Sequence, residues 1–401
     1  MKRGLCFLFT LAVLAGCGRQ SGVSKPGQTP DEADLMAVHA NTLLVDTHND
    51  VPSLTLNGLD LAQPNLKGHT DIARLRQGGV DAVFFAAYVP ASYAAKGGAA
   101  KRALEMIDTI RYDIVAKHPN DFVLATSAAE ILEARHGGKI AALIGIEGGH
   151  AIEDNLRMLR TFYALGARYM TLTHSVSHSW ADSSGDQDAP NARLNNGLTA
   201  FGRQVIAEMN RLGMMVDVSH VSDKTFWDVI TTTQAPPIAS HSSCRAISNI
   251  PRNMTDEMIV ALARKGGVVQ INFGCEFLSQ ASADASSWTN PETAKRLRDL
   301  PPEERRKAAR EIDARMPRAK LADVVAHINH VVKLVGIDHV GIGSDFDGVN
   351  CTPEGLDDVS KFPNLTRALI ENGYTAADIA KIYGGNILRV MREVERQAAR
   401  D

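Results

Sequence analysis

The chain has 401 residues, 44% of them hydrophobic and 22% charged, the balance of a globular protein with an ample core; disorder and collagen are excluded. Its 43 basic and 46 acidic residues are spread along the chain for a formal charge of −3, so no basic field gathers nucleic acid. A small neutral or zwitterionic partner fits that balance better.

In chain order, Lys2 and Arg3 precede an apolar run over 5–14, too short to span a bilayer and of the right length for a secretory signal core. The run ends in Leu14-Ala15-Gly16-Cys17, which resembles the bacterial lipobox. Residues 1–17 then read as a lipoprotein signal peptide with Cys17 as the lipidated residue; an ordinary signal with a chance cysteine is the alternative. Gly18 rather than Asp after the cysteine points to the outer membrane, facing the periplasm. Residues 18–34, rich in Gly, Ser and Pro, read as a flexible tether, and 35–401 as one domain. With Cys6 lost and Cys17 lipidated, Cys244, Cys275 and Cys351 face an oxidising compartment, enough for one disulfide and one free thiol, the pairing left open.

From residue 40 onward eight short apolar runs alternate with helical stretches: 43–46, 82–89, 141–146, 169–173, 214–218, 237–240, 268–273 and 340–343. They are near-continuously apolar, as strands covered on both faces are. Between them, Leu156, Leu159 and Phe162 or Tyr163 share a helical face that stops at Gly166, and Thr255 caps a helix carrying Met258, Ile259 and Leu262. A charged insert over about 279–318 follows the seventh run and reads as a lid or an interface. Eight βα units in this length predict a single (β/α)8 TIM barrel with a long insertion after the seventh strand; a doubly wound open sheet shares the periodicity.

Nearly every predicted strand runs into His, Asp or Glu at its C-terminal end, the face on which a barrel builds its site. The runs are Asp46-Thr47-His48-Asn49-Asp50, Glu147-Gly148-Gly149-His150, Thr173-His174, Ser219-His220, Ser240-His241-Ser242 and Ser344-Asp345-Phe346-Asp347-Gly348. Imidazole mixed with carboxylate suits Zn2+, whereas an all-oxygen Ca2+ or Mg2+ site would not need four histidines. His48 and Asp50 are two apart, so on a regular strand they face the same way and can grip one ion. Two ions about 3.5 to 4 Å apart can share a carboxylate, and Glu147 is the candidate bridge.

Taken in order with Asp217-Val218-Ser219-His220 and Gly341-Ile342-Gly343, these runs resemble the signatures of the membrane (renal) dipeptidases, amidohydrolase-like barrel metallopeptidases, over about 35–396. The resemblance implies two zinc ions per chain, one on His48 and Asp50, the other on His220 and His241, with Glu147 bridging. It further implies that His174 contacts the substrate and its oxyanion, that Arg252 grips the terminal carboxylate of a dipeptide, and that Asp345 handles protons. The Arg252 role rests on resemblance alone, because an arginine in Pro251-Arg252-Asn253 is ordinarily solvated. His150 and Asp347 are expected to support neighbours rather than bind metal. His178, in a loop before the family-like Trp180-Ala181-Asp182-Ser183, departs from the common pattern and leaves side-chain preference open.

The implied reaction is hydrolysis of dipeptides, those with a C-terminal D-residue among the candidates, by a hydroxide between the zincs; a homodimer is also implied. A lactonase, phosphotriesterase or deacetylase in the same barrel usually opens with His-x-His and uses a carbamylated lysine, whereas this chain has His48-x-Asp50 and a glutamate. A non-catalytic peptide-binding lipoprotein would not need Asp345 beside a complete ligand set.

Overall fold

The computed structural model describes Met1, residues 32–189 and residues 192–398, so the lipobox, Cys17 and the tether up to residue 31 lie outside the described residues. Residues 32–34 already belong to a helix, Glu32–Asn41. The strands that follow are β1 (Val45–Asn49), β2 (Ala82–Tyr88), β3 (Phe122–Leu124), β4 (Ile140–Glu147), β5 (Ala167–Thr171), β6 (Met215–Asp217), β7 (Ile238–Ala239), β8 (Val268–Ile271) and β9 (Val340–Ile342).

Alternation along these strands explains why their sequence reads as unbroken hydrophobicity. Ala82 and Phe84 of β2 pack with Val45, Leu143, Tyr169, Met215, Ile238 and Val268 in one cluster inside the ring. Val83, Phe85 and Ala87 of the same strand join the outer layer shared with the helices. Both faces are buried, so neither can be polar. Every pairing is parallel, in the order β1-β2-β4-β5-β6-β7-β8-β9, with no reversal of the kind a doubly wound sheet requires. The ring comes back on itself where Asn49 bridges to Phe346 and the Asp50 N–H donates to the Phe346 carbonyl at 2.9 Å. The result is a nearly closed eight-stranded barrel.

β3 stands outside it. It pairs with the first residues of β4, along the edge that β5 occupies from Ile144 onward. At the other end of the chain the helix Asn386–Gln397 adds Ile387, Leu388, Val390, Met391 and Val394 to the inner cluster formed by the first residues of the strands. That end of the barrel is thus filled by apolar side chains, and the polar chemistry is left to the opposite rim.

A short helix, Cys275–Leu278, leads into the insertion, which folds into the helices Gln280–Ala285, Pro291–Arg298 and Pro302–Asp313. A Cys275–Cys351 disulfide ties its start to the loop after β9, and Cys244 is free and buried. The expected cap is present: Thr255 accepts from the Met258 N–H at the start of Asp256–Arg264. Among the described residues no helix is long and apolar enough to cross a membrane.

Candidate active site

The site is assembled by six strand ends. β1 runs further than the apolar pattern indicates, to Asn49, so His48 lies on the strand and Asp50 directly precedes the helix Val51–Thr55, its side chain free of any capping bond. His48 Nε2 is 3.2 Å from Asp50 Oδ2, so the pair does face one point. Glu147, last residue of β4, places Oε1 at 3.6 Å from His48 Nε2, 3.1 Å from His220 Nε2, 3.5 Å from His241 Nε2 and 3.8 Å from His174 Nε2. One carboxylate oxygen is therefore shared by four imidazoles. The ligand atoms fall into three overlapping groups, His48-Glu147-His241, Glu147-His174-His220 and His48-Asp50-Asp345, each within 4.8 Å.

This donor set fits divalent cations on its own terms. His48 Nε2 is buried with two carboxylate oxygens, Asp50 Oδ2 and Glu147 Oε1, within 3.6 Å, and His220 and His241 aim their Nε2 atoms at one another across 2.9 Å. Such convergence of lone pairs is costly unless a positive charge lies among them. The field at His48 favours positive charge. Its burial opposes charge, but Tyr169, Glu147 and Asp50 raise its pKa well above the ordinary value. Burial likewise would raise Glu147, yet the surrounding imidazoles outweigh it and hold the carboxyl well below the usual range. His220 and His241 are kept neutral, mainly by burial, which is the form a metal requires.

The far nitrogens of the rings are held from behind. His48 Nδ1 meets the Tyr169 hydroxyl at 2.8 Å, and that hydroxyl donates to the Thr47 carbonyl. A β-carbon at Gly145 would stand 2.0 Å from the Tyr169 ring, so only glycine lets this tyrosine lie across the barrel. His241 Nδ1 meets Ser240 Oγ at 2.8 Å, and Ser240 Oγ donates to Asp217 Oδ2 at 2.6 Å. Asp46 accepts from Ser344 N–H and Oγ at 2.8 and 2.5 Å, pinning β1 to the loop that carries Asp345.

Asp345 has its Oδ2 fixed by Asn272 Nδ2 at 2.7 Å. Burial, opposed by the His48 charge and reinforced by Asp50 and Glu147, pushes its carboxyl up to about 8, and a cation bound beside Asp50 and Glu147 would lower it and leave the carboxylate free to accept a proton. His220, Asp345 and Asp347 all adopt φ between 62° and 70°, the left-handed region that costs a non-glycine residue about 1–3 kcal/mol. Three such positions at one rim show the backbone bent to aim side chains inward. Asp347 itself binds the next loop, accepting from the His69 N–H at 2.7 Å, while its own N–H donates to His69 Nδ1.

Arg252 is not solvated. It is 6% exposed, its guanidinium sits over the Phe277 ring at 5.1 Å, and among the described residues it donates only to the His241 carbonyl at 3.2 Å and to Ser242 Oγ at 3.4 Å. No ion pair among the described residues uses it, and burial lowers its pKa to about 10. Arg252, Asp345, His174, Glu147 and Asp50 line one cavity of about 520 Å³ together with Glu276 and Phe277, just before the insertion, and Trp288 within it. That volume is within the range of small-molecule sites, about 300–1,000 Å³. His150 and His178 stand apart. His150 Nε2 meets the Pro90 carbonyl and His178 Nε2 the Leu172 carbonyl, and neither joins a ligand group.

A parallel barrel whose C-terminal rim gathers imidazoles around a shared glutamate, above a cavity holding one unpaired arginine, defines a metal-dependent hydrolase. The chain belongs to the membrane dipeptidase family, peptidase family M19, which matches residues 32–401. It is 36% identical over 370 residues to an uncharacterized dipeptidase of Schizosaccharomyces pombe, covering 88% of this chain and 80% of that protein. The crystal structure of the probable dipeptidase PvdM from Pseudomonas aeruginosa superposes with a TM-score of 0.80 at 27% identity, covering 91% of this chain and 98% of that one. A metallo peptidase from Rhodobacter sphaeroides, liganded with a phosphinate mimic of the dipeptide L-Ala-D-Ala, gives 0.72 at 27% identity, over 88% and 100% of the two chains. The protein is thus a hydrolase acting on peptides, a metallopeptidase of the dipeptidase type.

Proposed function

We propose that the protein hydrolyses dipeptides, including those with a C-terminal D-residue, with two zinc ions held by His48 and Asp50 on one side, His220 and His241 on the other, and Glu147 between them. The observation that carries the reading is Glu147 Oε1 at the focus of four imidazoles in the cavity where Arg252 lies buried without a carboxylate partner. When bound, a pair of zinc ions polarises a carbonyl and brings the pKa of an attacking water to about 7. The chain's own groups do the rest. The Arg252 fork receives the substrate carboxylate, which sets the length at one residue beyond the scissile bond. His174, held neutral chiefly by burial and with Nδ1 beside Ser175 Oγ at 3.2 Å, presents Nε2–H to the developing oxyanion. Asp345, its Oδ2 occupied by Asn272, takes a proton at Oδ1 and returns it to the leaving amine.

A kinetic screen of L-L and L-D dipeptides, with zinc quantified in the same sample, tests the reading. Turnover that tracks two zincs per chain is expected; full activity in metal-free protein, or no turnover of any dipeptide by the zinc-loaded form, rejects it. From the lipobox we further propose a lipid anchor at Cys17 in the outer membrane, facing the periplasm, with Cys17→Ser expected to abolish lipid labelling. A homodimer is the proposed assembly, to be read by sedimentation.

A further inference from the structure

Glu276 lines the cavity and has no part in the chemistry described above. Glu276 lies in the segment that leads into the insertion, at the start of the helix Cys275–Leu278, and is 7% exposed. Its Oε1 accepts from the Trp288 indole N–H at 2.7 Å, whereas its Oε2 is buried and, among the described residues, has no hydrogen-bond partner in any other residue. Glu276 nevertheless lines the cavity together with Trp288, Phe277 and Asp345. Burial, opposed by a hydrogen bond from its own backbone N–H and by the Trp288 bond and reinforced by Asp313 and Asp345, pushes its carboxyl up to about 6, and a cation placed against it would favour the ionised form. A buried carboxylate oxygen without a partner is strongly unfavourable unless something that enters the site completes it.

We propose that Glu276 is a specificity-determining residue, its free Oε2 receiving the ammonium or guanidinium of a basic side chain on the dipeptide. The α-ammonium, common to every dipeptide, is one carbon from the scissile carbonyl and so lies close to the clustered ligands. Glu276 belongs to none of those clusters, which leaves it to meet a group at the end of a side chain. The flanking surfaces suit one: the Phe277 and Trp288 rings, 5.8 Å apart, line the cavity beside it and can cover the methylenes of a lysine or arginine. Held by Trp288 at Oε1, the carboxylate is already oriented, so a cation pays little to align it. The inference rests on the dipeptidase reading of the site and adds which side chains that site prefers.

The test is the selectivity ratio, kcat/KM for lysine- and arginine-containing dipeptides over their norleucine counterparts, with the basic residue at either position, on zinc-loaded enzyme. The native protein is expected to favour the basic member at one position. Glu276→Gln should lower that ratio roughly ten- to a hundred-fold, the worth of a hydrogen bond to a charged group. Trp288→Phe, which removes the bond that orients the carboxylate, should lower it by a smaller factor. Glu276→Lys should turn the preference toward acidic side chains. A native enzyme without preference for basic dipeptides, or a ratio unchanged in Glu276→Gln, overturns the inference while leaving the dipeptidase reading intact. Failure of the native zinc enzyme to cleave any dipeptide overturns both.

Discussion

Asp345 is the residue on which the proposed chemistry most depends, and its geometry separates two roles. Its neighbour Gly348 has no room for a side chain: a β-carbon there would lie 2.3 Å from both Asp345 Oδ1 and Asp50 Oδ2, which places those two oxygens side by side. If Asp345 carries the proton, Asp345→Asn keeps the Asn272 contact region and the zincs while kcat falls by about 10² to 10⁴. Loss of zinc along with activity would instead put Asp345 among the ligands. Behind the ring, Tyr169→Phe removes the hydroxyl on His48 Nδ1, and the expected result is a ten- to hundred-fold weaker metal affinity, about what an outer-shell partner contributes. A metal titration shows it, with kcat recovering at saturating zinc; unchanged affinity would reduce Tyr169 to packing. His48, Asp50, Glu147, His174, His220, His241 and Asp345 were legible in the sequence because each ends or follows a strand, where barrel geometry forces convergence. Tyr169 was not, since a tyrosine within an apolar run reads as core. Nor was the burial of Arg252, which depends on Phe277 arriving from the segment just before the insertion.

At the scale of elements, the strands were readable wherever both faces are apolar and the termini were not. Polar residues at a rim that fills with ligands break the pattern before the strand ends, as in β1, which reaches Asn49. β3 left no signal: three residues, Phe122–Leu124, extend one edge of β4 without entering the barrel. The 279–318 insertion was recognisable as an insertion by its charge and prolines, but its place over the cavity is fixed by contacts distant in sequence. Chief among them is the Cys275–Cys351 disulfide, which closes a separation of 76 residues and joins the segment bearing Glu276 to the loop bearing Asp345. Replacing both cysteines by serine should cost roughly 2–4 kcal/mol of stability. Because Glu276 and Asn350, both lining the cavity, flank the two cysteines, KM should rise more than kcat falls. Thermal melts and steady-state kinetics on one preparation check this; an unchanged KM would mean that packing alone seats the insertion.

Across the whole molecule, the joint between barrel and insertion also sets how the fold meets acid. His327, buried in the helix Leu321–Val335, has both ring nitrogens engaged: Nδ1 faces the Cys244 N–H at 3.0 Å, and Nε2 the Leu278 carbonyl at 3.1 Å. An N–H can only donate and a carbonyl only accept, so these partners select the neutral ring with its hydrogen on Nε2. A second proton would have to go on Nδ1, against the Cys244 N–H. Burial lowers His327 to about 4, with His330 adding to the effect and the Leu278 carbonyl and Asp323 opposing it; burial brings His178 to about 4 as well. In the unfolded chain each of these imidazoles takes its proton near 6.5. Between about 6.5 and 4 the unfolded state therefore binds more protons than the folded one, so stability is whole above 6.5 and drains away as the pH falls through that window. Each histidine accounts for something of order 3 kcal/mol by pH 4. Release of a bound metal in acid would lower stability too, but equally in a variant that keeps the metal ring, so the comparison isolates His327. His327→Gln, which can still donate to Leu278 and accept from Cys244 but cannot titrate, should lose distinctly less stability than the native protein between pH 7.5 and 5. Urea midpoints for both proteins at the two pH values measure the difference, and equal losses would show that His327 does not govern the acid response.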